Sequence, residues 1–325
     1  MRLVLIFCVS TILFSKTHCQ KIQTIAFYNV ENLFDTLDDP KTFDDDYTPM
    51  GQHHWTPEIL NQKIDKIAHV LSNIGLTETK KPPLLIGLAE IENQNLIKRI
   101  AVHPKLRFYD YEIIHFESPD YRGIDLGLLY RKDFFFIDHV KKYTLNLVDS
   151  KTQHKRTTRD QLVITGYWEN HALALLVNHW PSRRGGQRKS EASRLAAARL
   201  QQRIIDSLQK LDPKKYIISM GDFNDNPNNK SLSLLTKENS YTMSFKPLFN
   251  PMEAFFKKGV GSLAYRDRWH LFDQILVDQD FLNKEAISMV KTAVFNPSYL
   301  KTPDGKYKGY PYRTRILGSK TLWFF

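Results

Sequence analysis

Cysteine is almost absent from this 325-residue chain: there are two, Cys8 and Cys19, and both fall in the first nineteen residues. Without those residues the chain has no thiol and no disulfide, which excludes thiol catalysis and thiolate metal sites. A domain of this length can bury enough core to do without cross-links, even in an oxidising compartment. Internal repeats and low-complexity tracts are also lacking, and no Gly/Ser- or Pro-rich linker divides the sequence. One large domain is therefore expected. Beyond the N-terminus no run is long and apolar enough to span a bilayer, so no stable membrane association is expected.

The first nineteen residues stand apart. Arg2 precedes the apolar run Leu3 to Phe14, which is followed by Ser15-Lys16-Thr17-His18-Cys19. This has the pattern of a secretory signal, too short to span a bilayer comfortably, with a retained N-terminal anchor as the alternative. Removal of residues 1–19 would leave a domain of residues 20–325 with Gln20 at its start. The product is expected to be exported to a periplasmic or extracellular location and to be a monomer.

The formal charge is +11, and without Arg2 and Lys16 it is +9. Such a balance favours polyanionic partners through long-range attraction and counterion release. Nucleic acid is the expected partner class. The basic stretch from Lys151 to Arg159 reads most simply as a solvated hairpin tip, with nucleic-acid contact as the alternative.

Short apolar segments alternate with a few amphipathic ones. Ile22 to Tyr28, Leu84 to Ala89, Leu126 to Tyr130 and Leu271 to Val277 read as strands, and Gln161 to Trp168 pairs with Ala172 to Val177 as a hairpin. Thr56-Pro57-Glu58 opens a helix whose apolar positions Ile59, Leu60, Ile64, Ile67, Val70 and Leu71 recur at helical spacing, and Gly75 ends it. Ser190 to Leu211 is a second helix. Adjacent strands outnumber helical crossovers, which argues for packed sheets with helices outside rather than a doubly wound parallel sheet.

The most informative segment is Gly221-Asp222-Phe223-Asn224-Asp225-Asn226-Pro227, which follows the apolar run Tyr216 to Met220. A strand that ends this way can aim a carboxylate and an amide, two residues apart, at one phosphate and one water. The plain alternative is an Asp/Asn-rich turn. Other strand ends repeat the theme with Asn29 and Glu31, with Glu90 and with His179, and Asp273 lies on a further strand.

Six segments in order, Phe27 to Phe34, Gly87 to Asn93, Arg122 to Tyr130, Asn178 to Arg183, Gly221 to Asn224 and Trp269 to Asp273, resemble the endonuclease/exonuclease/phosphatase superfamily. The resemblance implies a DNase I-like fold: a four-layer α/β/β/α sandwich of two packed mixed β-sheets, with the site at one end. It implies hydrolysis of phosphodiesters with magnesium or manganese, most simply by an endonuclease cleaving DNA or RNA. A phosphoesterase for small-molecule or lipid phosphodiesters is the alternative, and a non-catalytic nucleic-acid-binding relative is a third reading. By the family pattern Glu90 is the main metal ligand, with Asn29 and Glu31 in the metal shell. Asp222 orients or deprotonates water, Asn224 contacts the phosphate, and His179 contacts the phosphate or assists the leaving group. Arg122, Arg183 and Arg184 are candidate phosphate clamps, since arginine suits bidentate phosphate contact.

The family's closing Ser-Asp-His segment is lacking. Asp273 is the acid expected to orient that histidine, yet the chain runs from Arg313 to Phe325 without one. A shifted or interrupted reading frame near Arg313, a relative of low activity, or replacement by His179 or His270 would each account for this. The first fits best, because Lys306 to Arg313 still follows the pattern.

Overall fold

The computed structural model describes residues 21–148, 154–237, 246–283 and 286–312. The signal-like leader, part of the basic stretch (151–153) and the divergent tail after residue 312 lie outside the described residues.

Four strands form the first sheet: β1 (Ile25–Leu33), β2 (Leu85–Ile91), β3 (Tyr111–Phe116) and β4 (Asp125–Arg131), in the order β1-β2-β4-β3. β1 and β2 run parallel, and the other pairs are antiparallel. The chain continues through β5 (Phe135–Tyr143), a short ribbon of β6 (Leu147–Val148) and β7 (Lys155–Arg156), and the hairpin of β8 (Gln161–Trp168) with β9 (His171–His179). After a crossover come β10 (Tyr216–Asp222), a second ribbon of β11 (Leu263–Tyr265) and β12 (Arg268–His270), and β13 (Asp273–Val277). The second sheet has the order β13-β10-β9-β8-β5, and only β9 and β10 are parallel within it.

The helices are α1 (Pro57–Asn73), α2 (Leu76–Thr79), α3 (Gln94–Ala101), α4 (Gln187–Leu211), α5 (Lys230–Thr236) and α6 (Met252–Lys257). Thr56 caps α1 by accepting the Ile59 N–H, with Pro57 at the first position, as the sequence dictates. Among the described residues no helix is long and apolar enough to cross a membrane.

Side-chain alternation along the strands builds the layers. In β2, Leu85 and Ala89 point into a core shared with the second sheet, whereas Ile86 and Leu88 join Ile64, Ile67 and Leu71 of α1 and Ile97 and Ile100 of α3. In β9, Leu173, Leu175 and Val177 face the first sheet, whereas Ala174 and Leu176 meet Ala197, Ala198, Ile204 and Ile205 of α4. A strand buried on both faces reads as a continuous apolar run, and these do. The result is helices, sheet, sheet, helices, the expected four-layer sandwich. Gly87 permits the close approach at its centre, because a Cβ there would stand 2.6 Å from Met220 Sδ.

The basic stretch corrects one expectation. Thr158, Arg159 and Asp160 are buried rather than solvated, because the chain turns inward there to begin β8.

Candidate active site

Parallel pairing of β1 with β2 and of β9 with β10 brings four strand ends to one end of the sandwich. In the second sheet Asp222 lies between His179, its parallel partner on β9, and Asp273, its antiparallel partner on β13. In the first sheet both strands lose register where the functional residues sit, between Asn29 and Leu33 on β1 and between Ala89 and Ile91 on β2. Glu31, Asn32, Glu90 and Asn224 have φ of 52°, 55°, 65° and 51°. Left-handed conformations of such residues cost of order 1–3 kcal/mol each and persist only where the surroundings impose them.

One amide joins the two sheets. Asn29 Nδ2 donates to Glu90 Oε1 at 3.1 Å and to Asp222 Oδ2 at 3.2 Å, while Asn29 Oδ1 accepts the Glu31 N–H at 2.9 Å. Glu90 Oε2 accepts the Asn32 N–H at 2.9 Å. Asp222 Oδ1 accepts the Asn224 N–H at 2.8 Å, and Asn224 Nδ2 donates to the Trp180 carbonyl at 2.9 Å. His179 Nε2 lies 3.7 Å from both Glu90 Oε1 and Asp222 Oδ2.

The electrostatics follow from burial. Burial, reinforced by the neighbouring Glu90 charge against the opposing Asn224 N–H, pushes the Asp222 carboxyl up to about 6. Burial, with Asp222 beside it, holds Asp273 well above the usual carboxylate range, and Asp273 Oδ1 is buried with no hydrogen-bond partner among the described residues. Burial, with Arg159 and Arg122 nearby, drives His179 well below the usual histidine range. The imidazole is therefore neutral near pH 7, and its contacts with the two carboxylates are not ion pairs.

The donor set fits a divalent cation. Glu90, His179 and Asp222 each offer one ligand atom, and the three atoms lie within 4.8 Å of one another. Two carboxylates held together in a buried place repel, and a cation between them removes that penalty. Asn29 turns its amide N–H toward these carboxylates, and Glu31 supplies its backbone N–H to Asn29 rather than joining the cluster of three.

The arginines differ. Arg183 is committed to the protein: it donates to the Asn224 carbonyl at 2.8 Å, Asp225 Oδ1 at 2.9 Å, Asn229 Oδ1 at 3.0 Å and Gln187 Oε1 at 3.2 Å. Arg184 is tied to the Tyr121 hydroxyl at 2.7 Å on the surface. Arg122 is held by Asp120 through Nε at 3.3 Å. His270 meets Asn226, Nδ1 to Nδ2 at 3.2 Å, rather than a site carboxylate. His139 is exposed on β5.

Three charged residues beyond the predicted site set also support it. Lys63 lies buried under the β1 turn and donates to the carbonyls of Glu31 and, at 3.1 Å, Asn32, with its ammonium 5.5 Å from the Trp55 ring. Burial lowers its pKa to about 8 against the pull of Glu31 and Glu90. Its position on the apolar stripe of α1, between Leu60 and Ile67, is the signal that could have found it. Glu92 is half-buried and accepts the Asp35 N–H at 2.5 Å; burial and the neighbouring Asp35, Asp44 and Asp39 push it up to about 8. Asp225 is buried between Arg183 and Arg194, with Arg194 Nε 2.8 Å from its Oδ2.

A model of the endonuclease/exonuclease/phosphatase family matches residues 24–322. No curated protein sequence matches the chain. Among solved structures, truncated TDP2 from Caenorhabditis elegans is similar at 13% identity, covering 69% of this chain and 79% of that one, with a TM-score of 0.47. The human nocturnin catalytic domain with a bound sulfate is similar at 14% identity, over 66% and 75%, with a TM-score of 0.45. A mannosyl-6-phosphatase from Bacteroides thetaiotaomicron is similar at 15% identity, over 67% and 77%, with a TM-score of 0.43.

Proposed function

This chain belongs to the endonuclease/exonuclease/phosphatase family, and we propose that it is an exported, monomeric, metal-dependent phosphodiester hydrolase whose main substrate is DNA or RNA. The observation that carries this reading is the single amide of Asn29 joining Glu90 of one sheet to Asp222 of the other, with the neutral His179 beside both. Phosphodiester hydrolysis needs charge neutralisation, an oriented water and donors for the non-bridging oxygens.

Each need has a residue. Glu90 and Asp222, with His179 at the edge, would hold the cation, and carboxylate oxygens suit magnesium or manganese. When bound, that ion would supply charge neutralisation at the phosphate. Asp222, held near 6, is a carboxylate at pH 7 and can accept a proton from water. Asn29 fixes the two carboxylates relative to each other. The second N–H of the Asn224 amide is a donor for a phosphate oxygen, and neutral His179 would offer its Nε2 lone pair to the cation. Arg122, whose charge acts on His179, remains the candidate clamp. Arg183 supports the loop that carries Asn224.

A second reading has its own observation. Leu37, Phe43 and Met50, on the segment after β1, are 73%, 74% and 93% exposed. Such a loop suits an amphiphilic phosphodiester better than a polyanion. Purified protein offered plasmid DNA, structured RNA and a phospholipid diester in parallel, with magnesium, separates the two. Nucleic-acid cleavage without lipid cleavage supports the first reading, and the reverse result replaces it.

A further inference from the structure

The buried charges behind the site form one connected unit. Asp120 and Arg159 are only 4% and 5% exposed, and Arg159 Nη1 donates to Asp120 Oδ2 at 2.9 Å. The rest of the guanidinium reaches the end of β9: Nε donates to the His179 carbonyl at 3.3 Å and Nη2 to the Trp180 carbonyl at 2.7 Å. The Trp180 carbonyl also receives Asn224 Nδ2 at 2.9 Å. The other oxygen of Asp120 faces the opposite way and accepts Arg122 twice, from the backbone N–H at 3.1 Å and from Nε at 3.3 Å.

A buried ion pair is poor evidence for stability, because desolvation of both charges offsets their attraction. What this pair provides is geometry. A guanidinium has a rigid fork of donors, and here its three nitrogens hold three acceptors, one each from Asp120, His179 and Trp180.

We propose that Asp120 and Arg159 are positioning residues that lock the backbone of His179 and Trp180, and through it the Asn224 amide, while Asp120 sets the direction of the Arg122 clamp. The role rests on the phosphodiesterase reading for its kinetic consequence, but not for its structural one. Arg159 acts on the groups that do chemistry, and Asp120 couples them to the group that holds substrate. Displacing a catalytic amide by an ångström costs up to about a hundredfold in rate.

Arg159→Lys keeps a cation opposite Asp120 and gives up the fork. Its kcat on a phosphodiester should fall about 10- to 100-fold with KM within about threefold. Asp120→Asn should lower kcat and also raise KM several-fold, because Arg122 loses its charged anchor. The Asn224 side-chain amide, followed by NMR in the folded variants, should move in both. A merely structural pair would produce neither that split nor that shift. Wild-type kcat in Arg159→Lys, together with an unmoved Asn224 amide, would overturn the proposal. Should Arg159→Lys not fold, Asp120→Asn with unchanged KM and an unmoved amide would overturn it equally. If the wild type cleaves no phosphodiester, the function proposed above fails, and the amide shift alone decides this inference: a moved amide supports it and an unmoved one ends it.

Discussion

His179 and Asp222 are direct partners across the parallel pairing of β9 with β10, and their side chains meet with His179 Nε2 3.7 Å from Asp222 Oδ2. That register is set by the core between the sheets, where Leu175 and Val177 lie beside Ile218 and Met220. Slipping one strand by a single residue would send every side chain to the other face. The site geometry is thus a by-product of core packing.

Glu90→Gln keeps the shape of the side chain and removes its charge. Magnesium-dependent turnover should fall at least about a hundredfold, the scale of losing one electrostatic or acid–base contribution. The unfolding midpoint should be little changed: the amide oxygen can still accept the Asn32 N–H, and loss of the Asn29 Nδ2 contact is offset by relief of the repulsion between Glu90 and Asp222. Kinetics and urea unfolding on the same preparation check both parts.

Asp222 makes the pH dependence specific. Burial, with Glu90 nearby, raises its carboxyl from 3.8 to about 6 in the folded protein. A raised folded value favours the protonated form, so this group's contribution to stability is full below about pH 4 and is lost as pH rises through about 6. Over that window the metal-free protein should lose stability from this group, on the order of a few kcal/mol. Asp222→Asn should remove this part of the slope and leave the part that the raised Asp273 and Glu92 carboxyls contribute. Turnover runs the other way, rising with pH through about 6 as the carboxylate forms, and added magnesium should shift that rise to lower pH. Unfolding and rate profiles between pH 4 and 8 test the two signs together.

Two glycines should behave differently. A Cβ on Gly221 would stand 2.3 Å from the backbone oxygen of Asn178, which is held in the sheet, whereas a Cβ on Gly87 meets the flexible Met220 side chain. Gly221→Ala should therefore cost more than about 3 kcal/mol, at or beyond the usual range for overpacking, and Gly87→Ala about 1–2 kcal/mol. Thermal or urea unfolding of the two variants gives the order directly.

Lys63→Met keeps the buried stem and leaves the carbonyls of Glu31 and Asn32 without their donor. A loss of about 1–3 kcal/mol is expected, with a fall in kcat because the same turn supplies the Asn32 N–H to Glu90. An unfolding midpoint and kcat both equal to wild type would contradict the role given to this lysine.

Much of this was legible in the sequence because strand ends are punctuated. Asn29, Glu90, His179 and Asp222 each follow an apolar run, and the structure brings all four together. The four layers were legible because buried strands read as unbroken apolar segments. The supporting charges were not. Arg159 looks like the end of a basic surface run, and only the fold shows it turned inward onto Asp120. Arg183 looks like a substrate clamp because it adjoins the site in sequence, yet it donates to Asn224, Asp225 and Asn229. Lys63 is masked by its helix, where one polar residue in an apolar stripe passes for a gap. Such partners sit far away in sequence, so no local pattern reports them.

The most direct test is plasmid nicking by the purified protein with magnesium or manganese, beside Asp222→Ala and a chelator control. Metal-dependent nicking by the wild type that is lost in Asp222→Ala is the predicted result. Nicking that survives in Asp222→Ala, or no nicking by a folded, metal-loaded protein, would contradict the account.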